Sequence, residues 1–319
     1  MHDWLFIRSL MRIFAYEKVI RMLSILIPTY NYDCTQLVTD LHAQALQEGI
    51  EHEIIVADDA SPNPILRGTN RAINGMPHCR LVELETNVGR ARIRNLLAQE
   101  ARHEWLLFMD ADAKVVSPTF IADYMAQTES GAEVVCGGLH HADTLPSADV
   151  SLRYAYERRA DRTRAARYRE QAPYERFTPF NFMVRRSTFL AIRFDETIRE
   201  YGHEDTLFGI ELQQRAVPVR HIDNALQHLG IETNEVFLSK TRAALRNLAS
   251  MEDTMQGHSP LIGTYHKLCR MGMDGVLART YAKHGQALAI RLSREHPSLT
   301  LFALYKLAYY CYIKRNTEG

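Results

Sequence analysis

From Leu23 onward, short runs of β-branched and large apolar residues alternate with stretches of helical period, and that alternation leaves few folds open. Strand, crossover helix and strand in turn is the pattern of a largely parallel sheet with helices on its faces. The strand-like runs are Leu23–Ile27, Glu53–Ala57, Arg80–Leu84, Trp105–Met109 and Glu133–Cys136. Between the first two, Leu37, Val38, Leu41 and Ala45 recur at the spacing of one buried helical face. The sequence predicts an α/β layer.

Ligands of such sheets sit beyond the carboxyl ends of the strands. The first run leads into Pro28-Thr29-Tyr30-Asn31, the second into Asp58-Asp59-Ala60-Ser61, and the fourth into Asp110-Ala111-Asp112. Alternate residues of an extended segment point the same way, so Asp110 and Asp112 are expected to face one site. Paired carboxylates there invite Mg2+ or Mn2+, which take one or two of them and leave the other positions to phosphate oxygens and water. A solvated turn explains Asp-x-Asp taken alone, and an Asx turn before Pro62 explains Asp58 or Asp59 alone. Their coincidence on one rim favours a site. Neither GxGxxG nor GxxxxGK[ST] follows the first two strands, and the glycine-rich loop of sugar-activating nucleotidyltransferases is absent too.

Lysine plus arginine equals aspartate plus glutamate at 38 each in 319 residues, so no overall field points to nucleic acid. The 5 cysteines are scattered without CxxC spacing, which argues against a disulfide framework or zinc knuckle and for a reducing compartment. The opening "MHDWLFIRSLMRIFAYEKVIR" is broken by Arg8, Arg12, Glu17 and Lys18, too often for a signal peptide or a spanning helix. Residues 1–21 read as an N-terminal extension, either an extra helix or an upstream start.

After about residue 150 the alternation stops. "SLRYAYERRADRTRAARYREQ" reads as a long helix or helix pair whose arginines make either a solvated, salt-bridged face or a binding face for an anionic acceptor or membrane phosphates. Residues 174–233 return to short strands and turns. From Asn234 the chain reads as helical and ends in "LFALYKLAYYCYIKR", shorter than the roughly 20 residues of a spanning helix. That segment is expected to pack on the main domain, with membrane docking as the alternative.

The motifs "ILIPTYN", "EIIVADDAS", "NVGRARIRN", "WLLFMDADA" and "YGHEDTLFG", in that order, resemble the family 2 glycosyltransferases over residues 22–215. "NALQHLGIETNEVFLSKT" resembles the segment that closes the site in some bacterial members. The resemblance implies the GT-A fold, a Rossmann-like mixed sheet flanked by helices, over residues 22–233, with a helical C-terminal region at 234–319. It implies a donor pocket made by Pro28, Thr29, Tyr30, Asp58, Asp59, Arg94, Asp110 and Asp112, with Asp58 and Asp59 accepting hydrogen bonds from the base or ribose. Arg94 and Asn95 match the pair that opens the helix under the nucleotide, whereas Arg90 and Arg92 read as solvated helix arginines. Asp112 is implied as the direct ligand of Mn2+ or Mg2+, with Asp110 reaching ribose or metal through water. His228 is implied as a further ligand, with His221 competing for that role.

An attacking hydroxyl must lose its proton, and a carboxylate can take it. Asp205 matches the family's base, with Glu204 positioning the acceptor; an acidic helix start is the plain alternative. The expected function is metal-dependent, inverting transfer of a hexose from UDP to a saccharide or lipid-linked acceptor in cell-surface polysaccharide or glycan synthesis. The expected location is the cytoplasm or the inner face of the membrane, with peripheral membrane contact. The rivals are a non-catalytic nucleotide-sugar or glycan binding module and a processive polysaccharide synthase, whose QxxRW-type motif the sequence lacks.

Overall fold

The computed structural model describes residues 22–198 and 201–317. The reading of residues 1–21 lies outside the described residues. Strands β1 (Met22–Thr29), β2 (Glu51–Asp58), β3 (Cys79–Glu83), β4 (Trp105–Met109), β6 (Val134–Cys136), β8 (Asn181–Arg185) and β9 (Val219–His221) form one sheet in the order β3-β2-β1-β4-β8-β6-β9. β1 is parallel to β2 and β4, whereas β8 runs antiparallel to both β4 and β6, which makes the sheet mixed. Each strand read from the sequence is present within one or two residues of its expected ends.

Central strands buried on both faces carry nearly unbroken apolar runs, and their alternation divides two cores. Leu23, Ile25, Ile27, Ile54, Val56, Leu107 and Met109 face one core with Leu37, Val38 and Leu41 of the helix Thr35–Gln47. Leu26, Ile55, Leu106 and Phe108 face the other, covered by Ile93, Leu97 and Ala98 of the helix Arg90–Glu100 and by a phenylalanine cluster. In that cluster Phe108 stacks on Phe182 at 5.0 Å and Phe194 on Phe208 at 4.5 Å. Phe208 belongs to the helix Glu204–Gln214, so the cluster fixes the start of that helix against the sheet.

A second, three-stranded sheet of β5 (Ala113–Lys114), β10 (Leu226–His228) and β7 (Leu139–His140), in the order β5-β10-β7, lies just past the end of β4. Its register sets His228 opposite Ala113 and Gln227 opposite His140. The arginine-rich segment is a helix pair, Ser151–Asp161 and Ala166–Arg169. The helices from Asn234 onward build two further cores that reach back to the sheet domain through Ile210 and Leu152. The last helix, Leu299–Thr317, buries Phe302, Tyr305, Tyr309, Tyr310 and Cys311 in those cores, so the aromatic stripe of the final segment is used in packing. Among the described residues no helix is long and apolar enough to cross a membrane.

Candidate active site

Two cavities open at the carboxyl edge of β1, β2 and β4. The smaller, about 410 Å³, is lined by Pro28, Thr29, Tyr30, Asp59, Arg94 and Asp110 among others, and the larger, about 870 Å³, by Glu204, Asp205, His141 and His228 among others. Both volumes fall in the range of about 300–1,000 Å³ usual for ligand sites. Arg90, Asp110, Asp112, Glu232 and Lys240 line both, so the two spaces meet at the Asp-x-Asp turn.

Asp59 is buried, and its carboxylate accepts from the amides of Val88 at 2.7 Å and Gly89 at 3.0 Å. It thereby ties the rim of β2 to the loop that starts the helix Arg90–Glu100. Asp58 is also buried, but its Oδ1 accepts from the amide and hydroxyl of Ser61 at 2.9 and 2.5 Å, and it is not among the side chains lining either cavity. Its Oδ2 has no hydrogen-bond partner. Of the acidic pair, only Asp59 faces the small cavity directly.

Arg94, only 2 % exposed, gives Nη2–H to Asp110 Oδ1 at 2.5 Å. Asn95 turns the other way, donating to the carbonyl of Phe194 and the carboxylate of Glu196, both at 2.9 Å, so its amide secures a loop rather than a ligand pocket. Arg90 is exposed, as the solvated reading expects, yet its guanidinium also lies 4.8 Å over the ring of Tyr201, reaches within 3.9 Å of Glu204 and stands where the cavities join. Arg92 stays on the surface side, 4.0 Å from Glu196.

The Asp110–Asp112 segment is not extended. The amide of Ala113 bonds to the carbonyl of Asp110 at 3.3 Å, so the chain turns, and the two carboxylates, though they line the same cavities, take different partners. Asp110 goes to Arg94, while Asp112 Oδ2 lies 3.1 Å from His228 Nε2. The turn is a consequence of the second sheet, which must begin at Ala113 to pair with β10. Gly230 permits the approach, because a Cβ there would stand 2.0 Å from Asp112 Oδ2. Behind His228, its Nδ1 lies 3.2 Å from His141 Nε2. Burial would push the Asp112 carboxyl up, but the hydrogen bond and charge of His228, aided by Arg90, hold it below the usual value. Burial lowers His141 to about 4 against the opposing charge of Glu157, which keeps that ring neutral at pH 7.

His221 is placed elsewhere. On β9, its Nδ1 accepts from Arg169 at 2.7 Å and its Nε2–H donates to the carbonyl of Pro173 at 2.9 Å. It secures the framework with Arg169, whose guanidinium also donates to the carbonyls of Cys136, Gly137 and Ile222. Arg153, Arg158 and Arg164 form ion pairs with Glu157 and Asp161, so much of the arginine-rich segment is salt-bridged.

Glu204 and Asp205 open their helix behind a histidine cap. His203 has φ of 73°, a left-handed conformation that costs energy in a residue with a Cβ, and its ring Nε2–H bonds to the carbonyl of Ala244 at 3.2 Å. The strained cap turns the acidic pair into the large cavity. Asp205 Oδ1 accepts from the amide of Thr206 at 2.7 Å. Desolvation first, and then the charge of Glu204, push the Asp205 carboxyl above its ordinary value. No local pattern marks His141 or Ala244, and the motif that contains Tyr201 does not show its contact with Arg90, because these roles depend on contacts between distant elements.

The donor set around Asp112 fits a hard cation in part. Among the described residues no three histidine, cysteine or acidic side chains are grouped to hold a metal. One carboxylate and one imidazole do converge at 3.1 Å, a set that accepts magnesium or manganese when phosphate oxygens and water fill the other positions.

Comparison with known proteins gives a family and a fold. The model of glycosyl transferase family 2 matches residues 24–192. A poly(ribitol-phosphate) beta-N-acetylglucosaminyltransferase, TarS of Staphylococcus aureus, is 30 % identical over 125 residues, which are 38 % of this chain and 20 % of that protein. An uncharacterized glycosyltransferase of Haemophilus influenzae is 31 % identical over 91 residues, 28 % of this chain and 29 % of that one. The chain thus spans less than a third of the curated relatives it matches. Among solved structures, a mannosyltransferase of Pyrobaculum calidifontis in complex with GDP-Man and Mn2+ superposes with a TM-score of 0.57 at 14 % identity, covering 92 % of this chain and 86 % of that one. Residues 1–349 of S. aureus TarS superpose with a TM-score of 0.50 at 19 % identity, covering 93 % and 92 %. At such identities the likeness establishes the fold, which is GT-A with a helical C-terminal region.

Proposed function

The chain belongs to glycosyl transferase family 2, and from that premise we propose that it moves a hexose from a UDP donor, with inversion, onto a saccharide or lipid-linked acceptor. The observation that carries this reading is the meeting of Asp112 and Asp205 in one cavity of about 870 Å³, joined to the smaller space at Arg90, Asp110 and Asp112. In this reading the small cavity takes the nucleotide and the large one the sugar and acceptor. Pro28, Thr29, Tyr30 and Asp59 border the nucleotide, and Asp58 supports that rim through Ser61. Arg94 holds Asp110 in place and adds positive charge beside the diphosphate. UDP-GlcNAc is bound in a structure of TarS, which supports a UDP-sugar as the donor here.

Asp112 and His228 would hold Mn2+ or Mg2+, and Asp110, which lines the same cavities, would act through water. The ion, when bound, would neutralise the charge that develops on the departing diphosphate. His228 would then present Nε2 without its proton and keep the other at Nδ1, where neutral His141 can accept it through Nε2. Arg90, at the junction, adds a second positive charge close to Glu204.

Asp205 is the base. Its Oδ1 is engaged by Thr206, which leaves Oδ2 for the acceptor hydroxyl. The hydroxyl proton passes to that oxygen as the new bond to the anomeric carbon forms, and the bond to the diphosphate oxygen breaks with its electron pair leaving on the diphosphate. A raised carboxyl value makes Asp205 a stronger base than an ordinary aspartate. One displacement from the opposite face inverts the anomeric centre. Glu204 orients the acceptor and is balanced by Arg90.

Residues 22–233 form the catalytic unit in this reading, and the helical region closes the large cavity through Phe237, Lys240 and Phe302. The buried thiols of Cys34, Cys79, Cys136 and Cys311 are unpaired, which supports a reducing compartment such as the cytoplasm, at the membrane's inner face if the acceptor is lipid-linked. The pathway that fits is cell-surface polysaccharide or glycan synthesis. The test is release of nucleotide diphosphate from a panel of nucleotide sugars, with manganese and then with chelator. Metal-dependent release of UDP supports the proposal, whereas donor binding without turnover for any acceptor favours a binding module.

A further inference from the structure

Part of the wall of the large cavity comes from the helical region and from the helix Ser151–Asp161: Arg153, Tyr156, Phe237, Phe302 and Lys306. Most cations of the cavity are already engaged. Arg153 pairs with Glu157 at 2.7 Å, Arg164 with Asp161 at 2.7 Å, Arg90 with Glu204 at 3.9 Å and Lys240 with Glu232, while Arg169 donates to backbone carbonyls. Among the described residues, Lys306 and Arg176 are the lining cations with neither a carboxylate partner nor a side-chain hydrogen bond. Arg176 is exposed to water on the stretch before β8, where a free guanidinium needs no explanation.

Lys306 is different. Its ammonium lies 5.2 Å from the ring centre of Tyr156 and 4.8 Å from that of Phe302. Two ring faces attract a cation but offer no acceptor oxygen for its three protons. A place in the middle of Leu299–Thr317 also removes the helix dipole as a reason for the charge, a role open instead to Lys314 and Arg315 in the last turn. Burial holds the Lys306 ammonium below the ordinary lysine value, so its charge becomes more favourable when an anion arrives. Beside it Tyr156, 39 % exposed, carries a hydroxyl with no hydrogen-bond partner among the described residues.

We propose that Lys306 and Tyr156 form an anion subsite for the acceptor, in which the Lys306 ammonium pairs with a phosphate or carboxylate carried by the acceptor and the Tyr156 hydroxyl donates to the same group. The inference rests on the large cavity being the place of transfer, and it narrows the acceptor to a negatively charged glycan or polyol. Neither residue lines the nucleotide cavity, so acceptor recognition is separable from donor binding.

The test uses the full chain saturated with UDP and manganese, with ligand-observed NMR titration of glycerol 3-phosphate against glycerol and of glucuronate against glucose. The expected result is that at least one anion binds about tenfold more tightly than its neutral twin, as a charge-assisted hydrogen bond is worth. The phosphate and carboxylate arms tell which anion is preferred. Lys306→Gln should abolish that preference and Lys306→Arg keep most of it, with UDP affinity unchanged in both. Equal binding of anion and neutral twin by the wild-type protein overturns the inference without any variant, as does a preference that survives Lys306→Gln. Failure of the protein to bind UDP at all would instead overturn the proposed function, so the two can fail separately.

Discussion

On the side of the cleft proposed for the nucleotide, the groups facing the cavity are fixed by backbone amides and by partners in neighbouring motifs: Asp59 by Val88 and Gly89, and Arg94 by Asp110. On the side proposed for the acceptor they are fixed by elements far away in the chain: His203 by Ala244, His228 by His141, and Lys306 by Tyr156. The first kind of site is built by the sheet as it folds. The second needs distant elements to meet, and for His203 and Lys306 the contacts involve the helical region.

Breaking this contrast begins with the largest effect. Asp205→Asn should lower transfer by about 10²–10⁴-fold, the usual contribution of a positioned base, while UDP binding by calorimetry stays as in the wild type. Equal loss of both would mean that the two sides are not separable. On the donor side, Arg94→Ala leaves Asp110 without its partner in a largely buried setting and should cost about 3 kcal/mol in denaturant unfolding. A loss close to zero would show that the rim does not depend on the pair.

Gly230→Ala tests the hinge between the sides. The added methyl must displace Asp112, and metal affinity in the presence of UDP should fall about 10–100-fold with the fold intact by circular dichroism. Acid sensitivity sharpens the contrast further. Asp205 must be unprotonated to act and its carboxyl is raised, so kcat/KM should fall with decreasing pH at an apparent value above the ordinary 3.8, an inflection that Asp205→Asn removes.

The smallest effect concerns the helical region alone. Glu252 accepts from His266 at 2.6 Å, Tyr310 at 2.9 Å and Lys314 at 3.0 Å. Burial opposes its charge, but these bonds together hold its carboxyl below the ordinary 4.5. A depressed carboxyl adds stability above the unfolded value and loses it as pH falls through the folded one. Glu252→Gln should therefore cost about 1–2 kcal/mol at pH 7 by thermal unfolding, and less at pH 3.

What was legible in the sequence follows the same division. The strands of the parallel half were readable because burial on both faces leaves nearly continuous apolar runs, and the rim motifs follow strand ends directly. Asp110 and Asp112 do line the same cavities, but on a turn rather than an extended segment, because the short second sheet that begins at Ala113 has two- and three-residue strands that carry too little pattern to read. Arg90 is on the surface as its helical spacing suggests, but that spacing cannot show that its guanidinium lies over Tyr201. Lys306 and Tyr156 meet across about half the chain, beyond the reach of any local motif.

The most direct measurement is a crystal structure of the protein with UDP and manganese. The account predicts the uridine against Thr29, Tyr30 and Asp59, the metal on Asp112, and an open path from the outer phosphate to the Asp205 carboxylate. A metal bound away from Asp112, or a wall of protein between the diphosphate and Asp205, would contradict it.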